Sequence, residues 1–416
     1  MKLRIRLSAH SIAVFLLAIL CVCFLSPAVM RTVGNAGFFG IAFLYLMIEI
    51  NALANSDRTE RNTMLLCVVY IGILFLYKFL GLSTASVSYH YNIVRFFLTF
   101  LCIVPIYKRL SRRQIHFLLF VCLGTLFITM AQNYLLKMSW GYRYSIQLYI
   151  REGEKTVINT QYTSAIMLIS GAMFCAFLNG KTFARRIISL ALAILCAYFN
   201  LVVTQRGIIL FLSIFMYPAL LLFNSKRDTK QVVNLTIITL LLLLLVSEYQ
   251  TVLRGVASLI GSARLTSRIE SMILVIERGS IEGTGGGSLA ARLRLTGNSI
   301  RTFWGSFSNF LMGVGLRTDS NDLVGNHSQF FDEFARFGVL GGLLSSVTIL
   351  RMLKATHVIA MTGRSEVLKN QLSVLLVIIV LRAFIGTIMD PSIGAALFIT
   401  IPLTFRLIYD EGGIKP

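Results

Sequence analysis

The feature that most constrains this chain is a series of apolar runs, each about 20 residues long, separated by polar connections. Hydrophobic residues make up 56% of the chain and charged residues only 14%, which excludes an ordinary soluble domain. A helix of this length crosses the hydrocarbon core of a membrane with its backbone hydrogen bonds satisfied internally. The sequence therefore predicts an all-α, polytopic membrane helix bundle that forms a single membrane domain over residues 1–416.

The apolar runs predict about twelve transmembrane helices, an even number that puts both termini on one side. The predicted spans are residues 11–29, 36–54, 63–82, 91–107, 115–133, 161–179, 187–204, 207–223, 231–248, 338–353, 370–388 and 393–409. Two long segments fall on the other side. These are a first outer loop over residues 134–161 and a large, partly helical, arginine-rich outer loop over residues 249–327.

Clusters of lysine and arginine set the predicted orientation. Alternation of the spans assigns every cluster to the same side, and short basic connections mark the cytoplasmic face. We therefore expect a multi-pass protein of the cytoplasmic (inner) membrane, with both termini cytoplasmic and the long loops facing the periplasm or exterior. The clusters are Lys2/Arg4/Arg6, Arg58/Arg61, Lys108/Arg109/Arg112/Arg113, Lys181/Arg185/Arg186, Lys226/Arg227/Lys230 and Arg351/Lys354/Arg364/Lys369.

Several classes of chemistry have no support in the sequence. The net charge of +21 does not indicate nucleic-acid binding, because the basic blocks between apolar runs are topology signals. All seven cysteines lie inside apolar runs, where cysteine is a small core residue, so neither a disulfide framework nor a thiolate metal site is expected. There is no nucleotide-binding loop and no acidic metal triad. The sequence predicts neither a metal nor a cofactor.

The large outer loop contains many arginines and no lysine over residues 249–327. Long translocated loops escape the orientation rule, which is one explanation, but that explanation predicts a mixture of the two residue types. The planar guanidinium binds phosphate through paired hydrogen bonds, so we favour anion recognition. The arginines of interest here are Arg292, Arg294 and Arg301.

Three further residues are candidates for the same outer site. Arg206 lies in the break between two predicted spans, and Arg382 lies deep in a span, where an arginine is costly unless it lines a polar cavity. Asn326, with Gln329 three residues later, predicts a helix N-cap that makes His327 the first helical residue. Unsatisfied N–H groups at such a position suit a phosphate. His327 is thus either a proton acceptor or a phosphate ligand, and the sequence leaves both open.

Four acidic residues lie near His327 and are alternative bases or glycan ligands. Asp319 and Asp322 precede it in a polar loop, whereas Asp332 and Glu333 follow it in the predicted helix. Asp332 is four residues from Arg336, a spacing that predicts an ion pair on one helix face.

Four pieces of the chain resemble the bacterial O-antigen polymerase and ligase family. They are TQRG at 204–207, SLAARLRL at 288–295, GVG at 313–315 and NHSQFFDEFARFGVLGG at 326–342. His327 and Gly338 have the family's spacing of eleven residues. The resemblance is specific over residues 204–344 and rests on hydropathy elsewhere. It implies a GT-C-like fold and a metal-independent, inverting glycosyltransferase whose donor is carried on undecaprenyl diphosphate.

The resemblance also implies roles for individual residues. Arg206, Arg292 and His327 match the family's catalytic positions, with Arg294 as an alternative to Arg292. Arg336 departs from the family, since many relatives carry an acid there, so the general base is not assigned. From charge and position rather than from the resemblance, the residues predicted to bind the diphosphate or glycan are Arg294, Arg301, Arg382, Asp319, Asp322, Asp332 and Glu333. The implied partners are undecaprenyl-diphosphate-linked oligosaccharides, membrane lipids and a chain-length regulator protein.

Three functions remain open from the sequence. The first is a polymerase that joins lipid-linked oligosaccharide repeat units into O-antigen or capsular polysaccharide, favoured by the Asn-His-Ser form of the motif and its acidic loop. The second is a ligase that moves glycan from undecaprenyl diphosphate to lipid A core. The third is a transporter of lipid-linked sugars, which predicts repeated halves. We find no second copy of either arginine stretch, so the transporter is disfavoured.

Overall fold

The computed structural model describes residues 8–80, 87–140, 160–200, 207–224, 254–255, 258, 270, 288–315, 323–361 and 365–410. Over these residues the chain is helical and contains no strand, as the sequence predicts. The principal helices are α1 (Ala9–Leu25), α2 (Pro27–Ile48), α3 (Ile50–Ala54), α4 (Arg58–Phe79), α5 (Val87–Tyr107), α6 (Arg112–Trp140), α7 (Thr160–Asn179), α8 (Phe183–Tyr198), α9 (Gly207–Leu222), α10 (Ser288–Trp304), α11 (Phe307–Met312), α12 (Gln329–Met361), α13 (Glu366–Ile385), α14 (Pro391–Gly394) and α15 (Ile401–Asp410), with a π-helical turn (Ala395–Thr400) between the last two.

Within the described residues, eight helices are long and apolar enough to cross a membrane. The helical membrane bundle is therefore confirmed in outline, whereas the total of about twelve spans stays a prediction. The predicted span at 231–248 and residues 141–159 of the first outer loop lie outside the described residues. The eight spans are Pro27–Ile48, Arg58–Phe79, His90–Tyr107, Arg112–Leu135, Gln161–Asn179, Gln329–Met361, Glu366–Ile385 and Pro391–Tyr409.

The predicted break between the first two spans, at residues 29–36, is matched only by a kink at Gly34. The chain breaks earlier, at Ser26, whose hydroxyl accepts a hydrogen bond from the N–H of Val29 at 3.3 Å and caps α2. Pro27 occupies the first turn of α2, where its missing N–H is harmless, and its ring would clash with a continued α1. Helix α2 then runs through the predicted break and bends at Gly34.

At one end of the bundle, the segment at the connection between α5 and α6 contacts both the first helix, α1, and the last helix, α15. We call this the basic end, because the clusters beginning at Lys108 and Lys181 both lie there. The first and last described helices thus start and finish together, as an even number of spans requires. The contacts are Lys108 Nζ to Asp57 Oδ2 at 2.5 Å, Arg406 Nη2 to Leu110 O at 2.9 Å, His10 Nε2 to Gln114 Oε1 at 3.3 Å, and Asn179 Nδ2 to Gln371 Oε1 at 2.8 Å.

The other end of the bundle collects the opposite ends of the same helices, and we call it the motif end because His327 lies there. The end of α1 meets the start of α7, the end of α4 meets α11, and the start of α12 meets the end of α13. Long helices that follow one another along the described chain therefore alternate in direction. The contacts are Tyr162 Oη to Leu25 O at 2.6 Å, Tyr77 Oη to Met312 O at 2.8 Å, Gln329 N to Gly386 O at 3.1 Å, and Gln161 Nε2 to Thr387 Oγ1 at 2.5 Å.

Helix α12 is bent at Gly338, where φ is 64° and ψ is −167°, a conformation essentially restricted to glycine. The bend allows two carbonyl groups of the preceding turn to face the segment after α11. Val314 N donates to Ala335 O at 3.0 Å, and Gly315 N donates to Arg336 O at 2.8 Å. The GVG piece therefore docks on α12 through its backbone.

A second glycine makes this close approach possible from the other side. Gly313 also has positive φ, at 70°, and a Cβ built there would lie 2.2 Å from Arg336 O. A Cβ on Gly338 would lie 2.2 Å from Leu311 O. The glycine at position 338 thus has a structural reason, because both glycines remove side chains from a backbone-to-backbone contact.

We predict that Gly338→Ala destabilises the protein by at least about 2 kcal/mol, because it combines a strained φ with a backbone clash. The thermal midpoint of the purified protein in detergent measures the effect. Gly72→Ala is the matched control, since Gly72 is exposed in α4 and a Cβ there meets nothing within 4 Å. A Gly338→Ala midpoint equal to that of the control would contradict the close contact.

Candidate functional site

The site is built around the start of α12, which Ser328 caps. Its hydroxyl accepts a hydrogen bond from Phe331 N at 3.2 Å, and its own N–H donates to Asp332 Oδ2 at 2.9 Å. The predicted cap at Asn326 with Gln329 is therefore wrong, and His327 lies just before the helix. Asn326 has φ of 57°, whereas a capping residue is normally extended.

Asp332 is fully buried and holds α10 against α12. Its Oδ1 accepts a hydrogen bond from Ser299 Oγ at 2.6 Å, and Ser299 Oγ in turn accepts one from Gly325 N at 2.9 Å. Both carboxylate oxygens thus bind groups of the chain. The predicted pairing of Asp332 with Arg336 is wrong, and Asp332 has a structural role in this arrangement.

Glu333 is the centre of a second buried network. It accepts a hydrogen bond from Tyr70 Oη of α4, and its other oxygen accepts one from Gln329 Nε2 at 2.8 Å. Arg336 Nη1 lies 3.6 Å from the same oxygen of Glu333. Both side chains are almost completely buried, since 1% of the Glu333 side chain and 5% of the Arg336 side chain are exposed. A buried carboxylate is tolerated when it is paired and hydrogen-bonded, as here.

The network continues to the residue before His327. Arg336 donates a hydrogen bond to Asn326 Oδ1, which fixes the left-handed turn at Asn326. Asparagine tolerates this conformation better than most residues. The buried ion pair therefore sets the backbone conformation from which His327 projects.

His327 is half-buried, and its Nδ1 lies 2.9 Å from Gly325 O. A carbonyl oxygen can only accept a hydrogen bond, so Nδ1 carries the proton in this contact. In the neutral ring Nε2 is then an acceptor, the tautomer that a general base requires. Within the described residues Nε2 makes no hydrogen bond.

Arg382 is buried in α13 and has been brought next to the start of α12. Its Nε donates to Ser164 Oγ at 3.0 Å, and its guanidinium covers Gly386, where a Cβ would lie 1.1 Å from Nη1. Gly386 O accepts the hydrogen bond from Gln329 N at 3.1 Å. The structure thus gathers Arg382 and the segment after His327 at the motif end.

The remaining predicted residues are divided between the surface and the undescribed part of the chain. Arg294 and Arg301 are exposed on α10, where Arg301 Nη2 donates to Asn298 Oδ1 at 3.2 Å. Arg292 lies on α10, but its side chain is outside what the structure describes. Arg206, Asp319 and Asp322 lie outside the described residues.

Sequence reasoning missed most of the residues that support the site. Tyr70 and Ser164 sit in apolar runs without a local signal, and Ser299 lies in the loop without one. Ser328 carries a signal, since serine is a favoured cap and Asp332 follows one turn later, but the sequence analysis predicts the cap at Asn326.

No family model matches the chain, and no curated protein matches it.

We predict that Glu333→Ala lowers stability by about 3 to 5 kcal/mol, because it removes the carboxylate beside a buried guanidinium. Glu366→Ala is the matched control. Glu366 also lies three residues before its cation, 2.7 Å from Lys369 Nζ, but 74% of its side chain is exposed. The control should lose less than about 1 kcal/mol in the same thermal assay. Equal losses would contradict the role assigned to Glu333.

Proposed function

We propose that this protein is an inverting glycosyltransferase that polymerises undecaprenyl-diphosphate-linked oligosaccharide repeat units at the outer face of the cytoplasmic membrane. The observation that supports the proposal is that two groups lie at the motif end. His327 has its Nδ1 hydrogen-bonded to a carbonyl, and Arg382 is buried beside the segment that follows His327. A proton acceptor and a cation at the same end of the bundle suit a reaction that expels a diphosphate.

His327 is the proposed general base. A hydroxyl of one repeat unit attacks the anomeric carbon of a glycan held on a second carrier. Nε2 of His327 accepts the hydroxyl proton while the bond from that carbon to the phosphate oxygen breaks. Attack from the face opposite the leaving group inverts the anomeric configuration. General base catalysis of this kind contributes about 100- to 10,000-fold in rate.

Arginines are the proposed ligands of the leaving diphosphate. Negative charge grows on the phosphate oxygens as the glycosidic bond breaks, so fixed cations stabilise the transition state more than the bound substrate. A donor placed in this way contributes about 3 to 4 kcal/mol. We assign this role to Arg382 from its position, and to Arg206 and Arg292 from the family resemblance.

An apolar groove supports the choice of a lipid carrier. It has a volume of about 460 Å³, lies between α9 and α13, and extends along α13 from Asn370 to Leu381. Leu381 immediately precedes Arg382. An isoprenoid chain in this groove would have its diphosphate next to the arginine. The groove is lined by Ile214, Phe215, Pro218, Ala219, Leu222, Phe223, Asn370, Ser373, Val374, Val377, Ile378 and Leu381.

We predict that His327→Ala lowers chain elongation by about 100-fold or more, as expected for loss of a general base. Arg206→Ala and Arg292→Ala should cause losses of about 100- to 1,000-fold. Polysaccharide length in cells carrying each variant measures the effect, with the membrane content of the protein measured in parallel.

His357→Ala is the matched control for His327→Ala. His357 is also half-buried and also has a ring nitrogen near a backbone carbonyl, at 3.3 Å from Lys369 O, but it lies at the basic end. It should leave polymer length unchanged. Wild-type polymer from His327→Ala would remove His327 from the site. In cells that lack the protein, polymer that accumulates on the lipid carrier would contradict the polymerase function and support the ligase function.

The orientation gives a separate prediction. A cysteine at Gly286, in the large outer loop, should react with an impermeant thiol reagent applied from outside, whereas Lys181→Cys at the basic end should react only after permeabilisation. The native cysteines give little background, because all seven are buried. The reverse labelling pattern would invert the proposed topology.

A further inference from the structure

The helices α10 and α11 form an elbow that exposes large apolar side chains. Trp304 is 67% exposed, Phe307 is 77% exposed and Met312 is 53% exposed. Exposed aromatic residues grouped in this way usually mark a binding surface. We call α10 and α11, with the exposed side chains of Trp304, Phe307 and Met312, the aromatic elbow.

The aromatic elbow is fixed to the bundle. The Trp304 ring stacks on Phe310 at 5.5 Å, and Phe303 contacts Phe310 at 5.2 Å. Phe303 also packs edge-on against Phe334 of α12 at 5.5 Å. The exposed Trp304 ring is therefore held in place by a cluster of half-buried rings.

The elbow lies beside apolar side chains that are exposed on the neighbouring helices α4 and α12. Met312 O accepts the hydrogen bond from Tyr77, and Phe79, two residues later in α4, is 89% exposed. On α12, the exposed residues after the bend follow helical spacing, which defines one apolar face. That face begins two residues after Gly338, which itself contacts Leu311 of α11. The start of the face is therefore about 3 Å along the helix from this contact. It contains Leu340, Leu343, Val347 and Leu350.

Two arginines border the elbow. Arg294 and Arg301 are exposed and are seven residues apart, so they lie on one face of α10. Arg301 is three residues before Trp304, which places it beside the exposed indole. Segments that lie in the membrane surface typically place tryptophan at the boundary of the hydrocarbon core and arginine near the lipid phosphates.

We propose that the α10–α11 elbow docks on the bilayer surface. Trp304 and Phe307 insert at the level of the headgroups, and Arg294 and Arg301 bind phosphates of anionic lipids. This assigns the two exposed arginines to bulk lipid rather than to the substrate diphosphate. It follows from the elbow alone and does not depend on the proposed glycosyl transfer.

Tryptophan fluorescence of the full-length protein in vesicles tests the proposal. The chain has only two tryptophans, so Trp140→Phe leaves Trp304 as the single reporter, and Trp304→Phe gives the Trp140 background. The vesicles contain phosphatidylcholine brominated either near the headgroup or near the methyl end of the acyl chains, with or without phosphatidylglycerol. Circular dichroism of each variant checks that the helices are intact.

We expect Trp304 to be quenched by bromine near the headgroup and not by bromine near the methyl end. Quenching should increase with phosphatidylglycerol, and the variant with Arg294→Gln and Arg301→Gln should lose that increase. Quenching by aqueous iodide without any response to bromolipid would overturn the proposal, leaving the elbow open to solvent as a surface for sugar rings. Equal quenching in neutral and anionic vesicles would overturn the assignment of anionic headgroups.

Discussion

The structure depends on how the buried polar side chains at the start of α12 find hydrogen-bond partners inside an apolar bundle. Glu333, Arg336 and Asp332 are all buried, and each is held by partners from another segment or from the same helix. Leaving any of these groups without partners in an apolar interior costs several kcal/mol, roughly. Satisfying them therefore fixes α4, α10 and the residues before α12 relative to one another.

The glycine pair extends this constraint to the rest of the motif. Because Gly313 and Gly338 have no side chains, the segment after α11 approaches α12 closely enough for direct backbone hydrogen bonds. The buried ion pair thus holds Asn326, the residue before His327, and the glycine contact holds the GVG piece on α12. Rigid support of this kind suits the general base that we propose.

The fold could be predicted where the signal is local. Apolar runs define helices because a membrane span carries its own hydrogen bonds, and basic connections mark one end. The local signal does not decide between Asn326 and Ser328 as the cap of α12. The choice depends on Arg336, which binds the Asn326 side chain, so that Ser328 is the residue that caps the helix. The hydrogen bond between Tyr70 and Glu333 joins residues that are 263 positions apart, and no local sequence pattern predicts it. The sequence predicts Asp332 and Glu333 as bases or glycan ligands, whereas in the structure both carboxylates bind groups of the chain.

The central claim is that His327 and Arg382 face one diphosphate at the motif end. The most direct test is an experimental structure with undecaprenyl diphosphate bound, in which the distances from the phosphate oxygens to the two side chains are measured. The account predicts a phosphate oxygen within about 3 Å of the Arg382 guanidinium and the His327 ring beside the same group. A diphosphate bound at the basic end, or at a surface that neither residue reaches, would contradict it.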